Sequence, residues 1–202
     1  MQLIGMFDSP FVRRVAITMR LLGVPFEHNP LSIFRGYDEF RKINPLVKVP
    51  TLICDDGTIL VDSTLIIDYV EMLAGRSLLP VELSERSAAL HLIGIALVAM
   101  EKTAQRIYEL KQRPVEMQYA PWLERINEQL LAAIDAMEIA VSGKRRQWLV
   151  GAQLTQADID IAVAWRFIRH AAPTIAVVTT RPALDAFGEL AETLPEFIAA
   201  PL

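Results

Sequence analysis

Apolar and polar positions follow two different periods in the first eighty residues. Residues 2–7 (QLIGMF) read as a strand. Val12, Val15, Ala16, Met19 and Leu22 then recur at helical spacing, and Gly23 is placed to end that helix. Residues 26–31 (FEHNPL) suggest a second strand, which Pro30 confines to a sheet edge or a strand end because it lacks an amide proton. A short helix over residues 36–42 follows. VPTLIC, DDG and TILVD read in succession as a hairpin, since Asp-Gly between apolar runs favours a tight turn. DSTLIIDYVEMLAG predicts a helix that starts at Asp62 or Ser63 and ends at Gly75. The order is β-α-β-α-β-β-α. Strands joined through the first helix form a parallel pair, and the hairpin adds an antiparallel edge.

Past Pro80 the pattern is helical throughout. Residues 84–112 form one long segment, stopped before Pro114. Leu123, Ile126, Leu130, Ile134, Met137 and Val141 keep a 3.6-residue rhythm until Gly143. LTQADIDIAVAWRFI opens with a capping box: Thr155 caps, Asp158 reaches back, and Leu154 can pack on Ile159. One or two further helices run from Pro182 to the end. The change of texture falls inside RSLLPVELS, residues 76–84, and divides the chain into domains 1–80 and 84–202.

Composition narrows the class. At 202 residues, with 52% apolar and 22% charged positions, the chain can bury a proper core and is not disordered. A net charge of −4 gives no footprint for nucleic acid, and the basic cluster Lys144, Arg145, Arg146 is too short to change that. The single cysteine, Cys54, excludes an internal disulfide and any multi-cysteine metal site. His28, His91 and His170 show no metal-ligand spacing, so no metal is expected. The first apolar run is brief and is broken by Asp8 and Pro10, unlike a secretory signal. The longest apolar region, residues 88–100, carries His91 and Gly94 and falls short of a membrane span. A cytoplasmic setting is expected, with no membrane or nucleic-acid partner.

Three short motifs can carry chemistry. In DSPFVRRV, Ser9 stands at a helix start with Pro10 at the first helical position. One reading is a cap alone. The other aims the hydroxyl, at the positive end of the helix, at an anionic ligand atom such as a thiolate or phosphate. No histidine lies near in sequence to make Ser9 a base. Arg13 and Arg14 add positive charge, although one of them can be a plain solvated residue. At Val49-Pro50 the proline opens a strand; a cis bond there exposes the Val49 amide and carbonyl to a ligand lying alongside. Asp62-Ser63 reads as a plain cap, or as a hydroxyl and helix amides for a carboxylate with Asp62 facing an ammonium, a pair that suits an α-amino acid group.

Taken together, SPFVRRV, NPLVKVPTL and DSTLIIDYVE, in this order and followed by an all-helical half, resemble the glutathione transferase family, in particular its serine-type theta, zeta and tau members and their bacterial relatives. The resemblance spans essentially the whole chain. It implies a thioredoxin-like N-terminal domain that binds glutathione and an all-α C-terminal domain that completes an apolar substrate site, in a homodimer. Ser9 is then expected to hydrogen-bond the glutathione thiolate, and Phe11 joins the glutathione-binding set. Val49 pairs its backbone with the cysteinyl unit, Pro50 is the cis proline, and Asp62 and Ser63 hold the γ-glutamyl end. Arg35 and Lys48 lie where basic residues of some relatives meet the glycine carboxylate. Many relatives carry Glu-Ser where this chain has Asp-Ser; the charge is kept and one methylene of reach is lost. Met100, Ile107 and Tyr108 fall on the helix that lines the electrophile pocket in the family. The implied activity is detoxification: thiolate attack on an unidentified apolar electrophile, or reduction of a peroxide.

Two other readings share the fold. One is a binding or regulatory protein similar to the stringent starvation proteins, which act through protein partners. The other is a zeta-type isomerase, but SPFVRRV lacks the second serine and the cysteine of that class. Cys54, inside an apolar strand, reads as a buried inert thiol rather than a catalytic one.

Overall fold

The structure is a computed structural model and describes residues 1–144, 147–177 and 180–202; Arg145 and Arg146 of the basic cluster lie outside the described residues. The chain divides into two compact units, Met1–Leu78 with Thr193–Leu202, and Leu79–Glu192.

In the first unit the expected order is present: β1 (Gln2–Ile4), α1 (Pro10–Leu22), β2 (Glu27–Asn29), α2 (Tyr37–Ile43), β3 (Thr51–Ile53), β4 (Ile59–Leu60) and α3 (Ser63–Ala74). The sheet runs β2-β1-β3-β4. β1 pairs in parallel with β2, with Leu3 opposite His28, and antiparallel with β3, with Leu3 opposite Leu52. The hairpin pairs Leu52 with Leu60. Leu3, Ile4 and Leu52 are fully buried, and α1 packs against both β1 and α3. The strands are shorter than the apolar runs suggest. Gly5, at φ +132°, turns the chain out of β1, while its amide still reaches the Asn29 carbonyl at 3.0 Å. Pro30 ends β2 as anticipated.

α1 ends on Gly23 and α3 on Gly75, both left-handed. Their starts differ. Asp62 caps α3 by accepting from the Thr64 amide at 2.8 Å, whereas Ser9 occupies the cap of α1 without a side-chain capping bond.

The second unit contains α4 (Leu83–Lys111), α5 (Ala120–Ser142), α6 (Gln156–Ala171), the short α7 (Pro173–Ala176) and α8 (Pro182–Glu192). α4 packs on α5 and α6, and α6 on α8. By length and composition α4 is long and apolar enough to cross a membrane, with a mean hydropathy of 1.4 over its most apolar window, which corrects the expectation drawn from residues 88–100. Ala89, Leu92, Ile93, Ala96, Ala99 and Met100 form a buried stripe at helical spacing along one side of α4. α6 is buried almost from end to end.

The expected C-terminal domain of 84–202 is corrected at its end. α9 (Pro195–Ile198) packs on α1, and Thr193–Leu202 belongs to the first unit. The buried Arg13 makes this seam: its Nε donates to the Ala200 carbonyl at 2.7 Å and its guanidinium lies 5.5 Å from the centre of the Phe197 ring.

Candidate functional site

The loop between β1 and α1 presents Ser9. The Ser9 amide donates to the Met6 carbonyl at 3.1 Å, and the Ser9 carbonyl accepts from Arg13 at 3.0 Å, so the backbone on both sides is held. The hydroxyl makes no bond to the helix start, and the residue is half-buried. The loop is braced from β2. His28 stacks on Phe7 with ring centres 3.9 Å apart, and its Nε2 lies 2.8 Å from the Gly5 carbonyl. Phe11, the second residue of α1, is half-buried.

The segment entering β3 lies against this loop. A Cβ on Gly5 would meet Val12 Cγ2 at 2.6 Å and Val49 Cγ1 at 3.0 Å, so Val49 and the Ser9 loop touch only because position 5 is glycine. Val49-Pro50 is cis, as the resemblance implied, and Val61-Asp62 is cis as well. The buried Asn44 trusses the segment. Its Nδ2 donates to Thr51 Oγ1 at 2.9 Å, its Oδ1 accepts from the Leu46 amide at 3.0 Å, and Thr51 Oγ1 donates to the Lys48 carbonyl at 2.6 Å. The Lys48 side chain is exposed. Arg35 is exposed too, on a turn closed by Ser32 Oγ, with its Nη2 3.9 Å from Met6 Sδ.

At the start of α3, Asp62 is exposed and Ser63 is buried. Arg14 joins this helix to α1: its Nη1 donates to Ser63 Oγ at 2.9 Å and to Thr64 Oγ1 at 3.4 Å. Arg13 and Arg14 are therefore both interior residues, and the allowance for one of them as a solvated charge is withdrawn. The eight residues expected to meet glutathione lie in the first unit, in four segments: the Gly5–Val49 contact links the first to the third, Arg14 links the first to the fourth, and Arg35 approaches Met6 of the first. Sequence reasoning took Arg14 only as a charge beside Ser9 and missed its bond to Ser63, and it missed Asn44 and the His28 brace. A polar residue within an apolar helical stripe is the only signal that could have found Arg14.

Cys54 is buried, next to the hairpin turn. A hydrogen bond with Cys54 pushes the Tyr69 phenol above its ordinary value of 10.0. Among the described residues no three His, Cys, Asp or Glu side chains converge as metal ligands.

Residues 3–77 match the glutathione S-transferase N-terminal domain family, and residues 120–192 the corresponding C-terminal domain family. The chain is 28% identical over 175 residues to an uncharacterised glutathione-transferase-like protein of Escherichia coli, covering 86% of this chain and 85% of that one. It is 27% identical over 205 residues to glutathione S-transferase 3 of Zea mays, covering 98% and 91%. Among solved structures, a glutathione S-transferase of Methylobacterium radiotolerans in complex with glutathione sulfonate superposes with a TM-score of 0.88, at 23% identity and with 98% and 93% coverage. At that identity the likeness establishes the fold: a thioredoxin-like unit with an all-α unit.

Proposed function

Because this chain belongs to the glutathione S-transferase family, we propose that it binds glutathione in its first unit and uses Ser9 to stabilise the thiolate for attack on an apolar electrophile or a peroxide. The observation that carries this reading is the state of Ser9. It stands at the start of a 13-residue helix, yet its hydroxyl makes no capping bond, so it is left to donate to a ligand.

The energetics suit that role. A thiol with a pKa of about 8.5 is roughly 3% ionised at pH 7. Bringing the pKa to about 6.5 needs roughly 2.7 kcal/mol of differential stabilisation. A hydrogen bond to a charged group supplies about 1.5–3 kcal/mol, and a helix N-terminus about 0.3–1 kcal/mol. Ser9 and α1 can therefore ionise the thiol without a general base. In this reading Val49 pairs its backbone with the cysteinyl unit beside cis-Pro50, and Phe11 borders the ligand. Asp62 faces the γ-glutamyl ammonium and Ser63 its carboxylate, while the exposed Arg35 and Lys48 are the cations available to the glycine carboxylate.

The test is the thiolate absorbance of bound glutathione against pH, in the native protein and in Ser9→Ala. We expect a pKa well below that of free glutathione, returning toward it in the variant while much of the affinity remains. Glutathione bound with an unshifted thiol in the native protein would instead favour a non-catalytic binding protein on the same fold.

We also propose a homodimer. Leu65, Met72 and Leu73 are 61%, 79% and 53% exposed on one face of α3, an apolar surface of the kind that a second copy covers. Sedimentation equilibrium should return twice the 22.6 kDa chain mass; a monomer at micromolar concentration would overturn this.

A further inference from the structure

Arg14 and Ser63 are each 1% exposed, and the 2.9 Å bond between them is the link from α1 to the start of α3. A guanidinium carries five donors and no acceptor, so the Ser63 oxygen accepts in this bond. Its one O–H proton is left over, and no acceptor for it occurs among the described residues. A buried donor without a partner costs about 1–3 kcal/mol, a cost that an anionic ligand atom relieves. The surroundings favour an anion twice over. α3 is a 12-residue helix whose positive end lies at Ser63; of its first-turn amides the Asp62 carboxylate accepts from Thr64, while the Asp62 carbonyl accepts the first intrahelical bond from Ile66. Arg14 sets a permanent positive charge beneath the same turn.

We propose that Arg14 is a positioning residue for the γ-glutamyl carboxylate of glutathione. By occupying the acceptor side of the Ser63 hydroxyl, it leaves that hydroxyl as a donor to the carboxylate. This rests on the glutathione-binding reading above. Ser63 is 1% exposed, and in so desolvated a setting a donor aligned in advance counts for most.

The experiment compares Arg14→Met and Arg14→Gln with the native protein. Circular dichroism and thermal melts check folding, and calorimetry gives the Kd for two probes. One probe is glutathione; the other is aminobutyryl-cysteinylglycine, which lacks only the γ-glutamyl carboxylate. Arg14→Met should raise the Kd for glutathione about tenfold. Arg14→Gln should raise it less, because its amide can still donate to Ser63. Neither variant should change the Kd for the second probe or the pKa of the bound glutathione thiol. A folded Arg14→Met with native affinity for glutathione, or with equal losses for both probes, overturns the proposal. If Arg14→Met does not fold, Arg14→Gln carries the comparison: discrimination between the probes must shrink in it, or Arg14 is only structural. A native protein that binds neither probe overturns the glutathione reading itself. Native binding of glutathione with unchanged discrimination in the variants overturns this inference alone.

Discussion

Ser9 and Asp62 occupy equivalent places, each at the cap of a helix in the first unit, and the structure uses them differently. One oxygen of the Asp62 carboxylate accepts from the Thr64 amide, while the Ser9 hydroxyl makes no bond at its helix start. Their truncations should therefore separate. Asp62→Ala should cost about 1 kcal/mol of stability, the usual loss of a side-chain cap, while Ser9→Ala should stay within about 0.5 kcal/mol of native. Urea unfolding of the two variants in the absence of ligand measures this. A Ser9→Ala loss as large as that of Asp62→Ala would mean that the hydroxyl serves the helix after all.

α6 shows how much one element can depend on a single carboxylate. Asp158 accepts from the Leu149 amide at 2.8 Å, the Thr155 amide at 2.8 Å and the Thr155 hydroxyl at 2.7 Å, closing the helix start and tying down the chain ahead of it. Asp158→Ala orphans these buried donors and should cost about 2–4 kcal/mol in denaturant unfolding, with a smaller loss refuting the tie. The same group sets a pH dependence. Burial raises its pKa above the ordinary 3.8, outweighing the hydrogen bonds that lower it. The native state thus holds this proton at a pH where the unfolded chain has already released it. Its contribution to stability is complete below 3.8 and is lost as pH rises through the raised value. The stability difference between native protein and Asp158→Asn should accordingly narrow as pH rises from the acid limit toward neutrality; a difference that widens would contradict the raised pKa.

At the scale of the whole molecule, the last ten residues close the unit formed by the first seventy-eight. Phe197 is 1% exposed, with the Arg13 guanidinium beside its ring, and Ala200 is fully buried. Phe197→Ala should cost about 3–5 kcal/mol, the usual range for deleting a buried aromatic ring. Hydrogen exchange should show the loss in the α1 amides, since α9 packs on α1. Unchanged α1 protection in that variant would show that the tail merely lies on the unit.

The order of elements, the stops at Gly23 and Gly75 and the capping box of α6 were legible in the sequence alone, because each is a local signal: a period of two or 3.6, a residue without Cβ, a polar pair three positions apart. The three motifs of the candidate site were legible for the same reason. What lies around each residue is not local. α1 buries Arg13 and Arg14 along with its apolar stripe because the sheet, α3 and the returning tail cover it on several sides, and a charge read from sequence looks like surface until those neighbours are in place. Only the tertiary structure decided that Ser9 does not cap, that Arg14 reaches Ser63, and that Thr193–Leu202 leaves the helical unit. Each of these depends on which distant segment meets which, and burial and hydrogen bonding are settled at that meeting rather than along the chain.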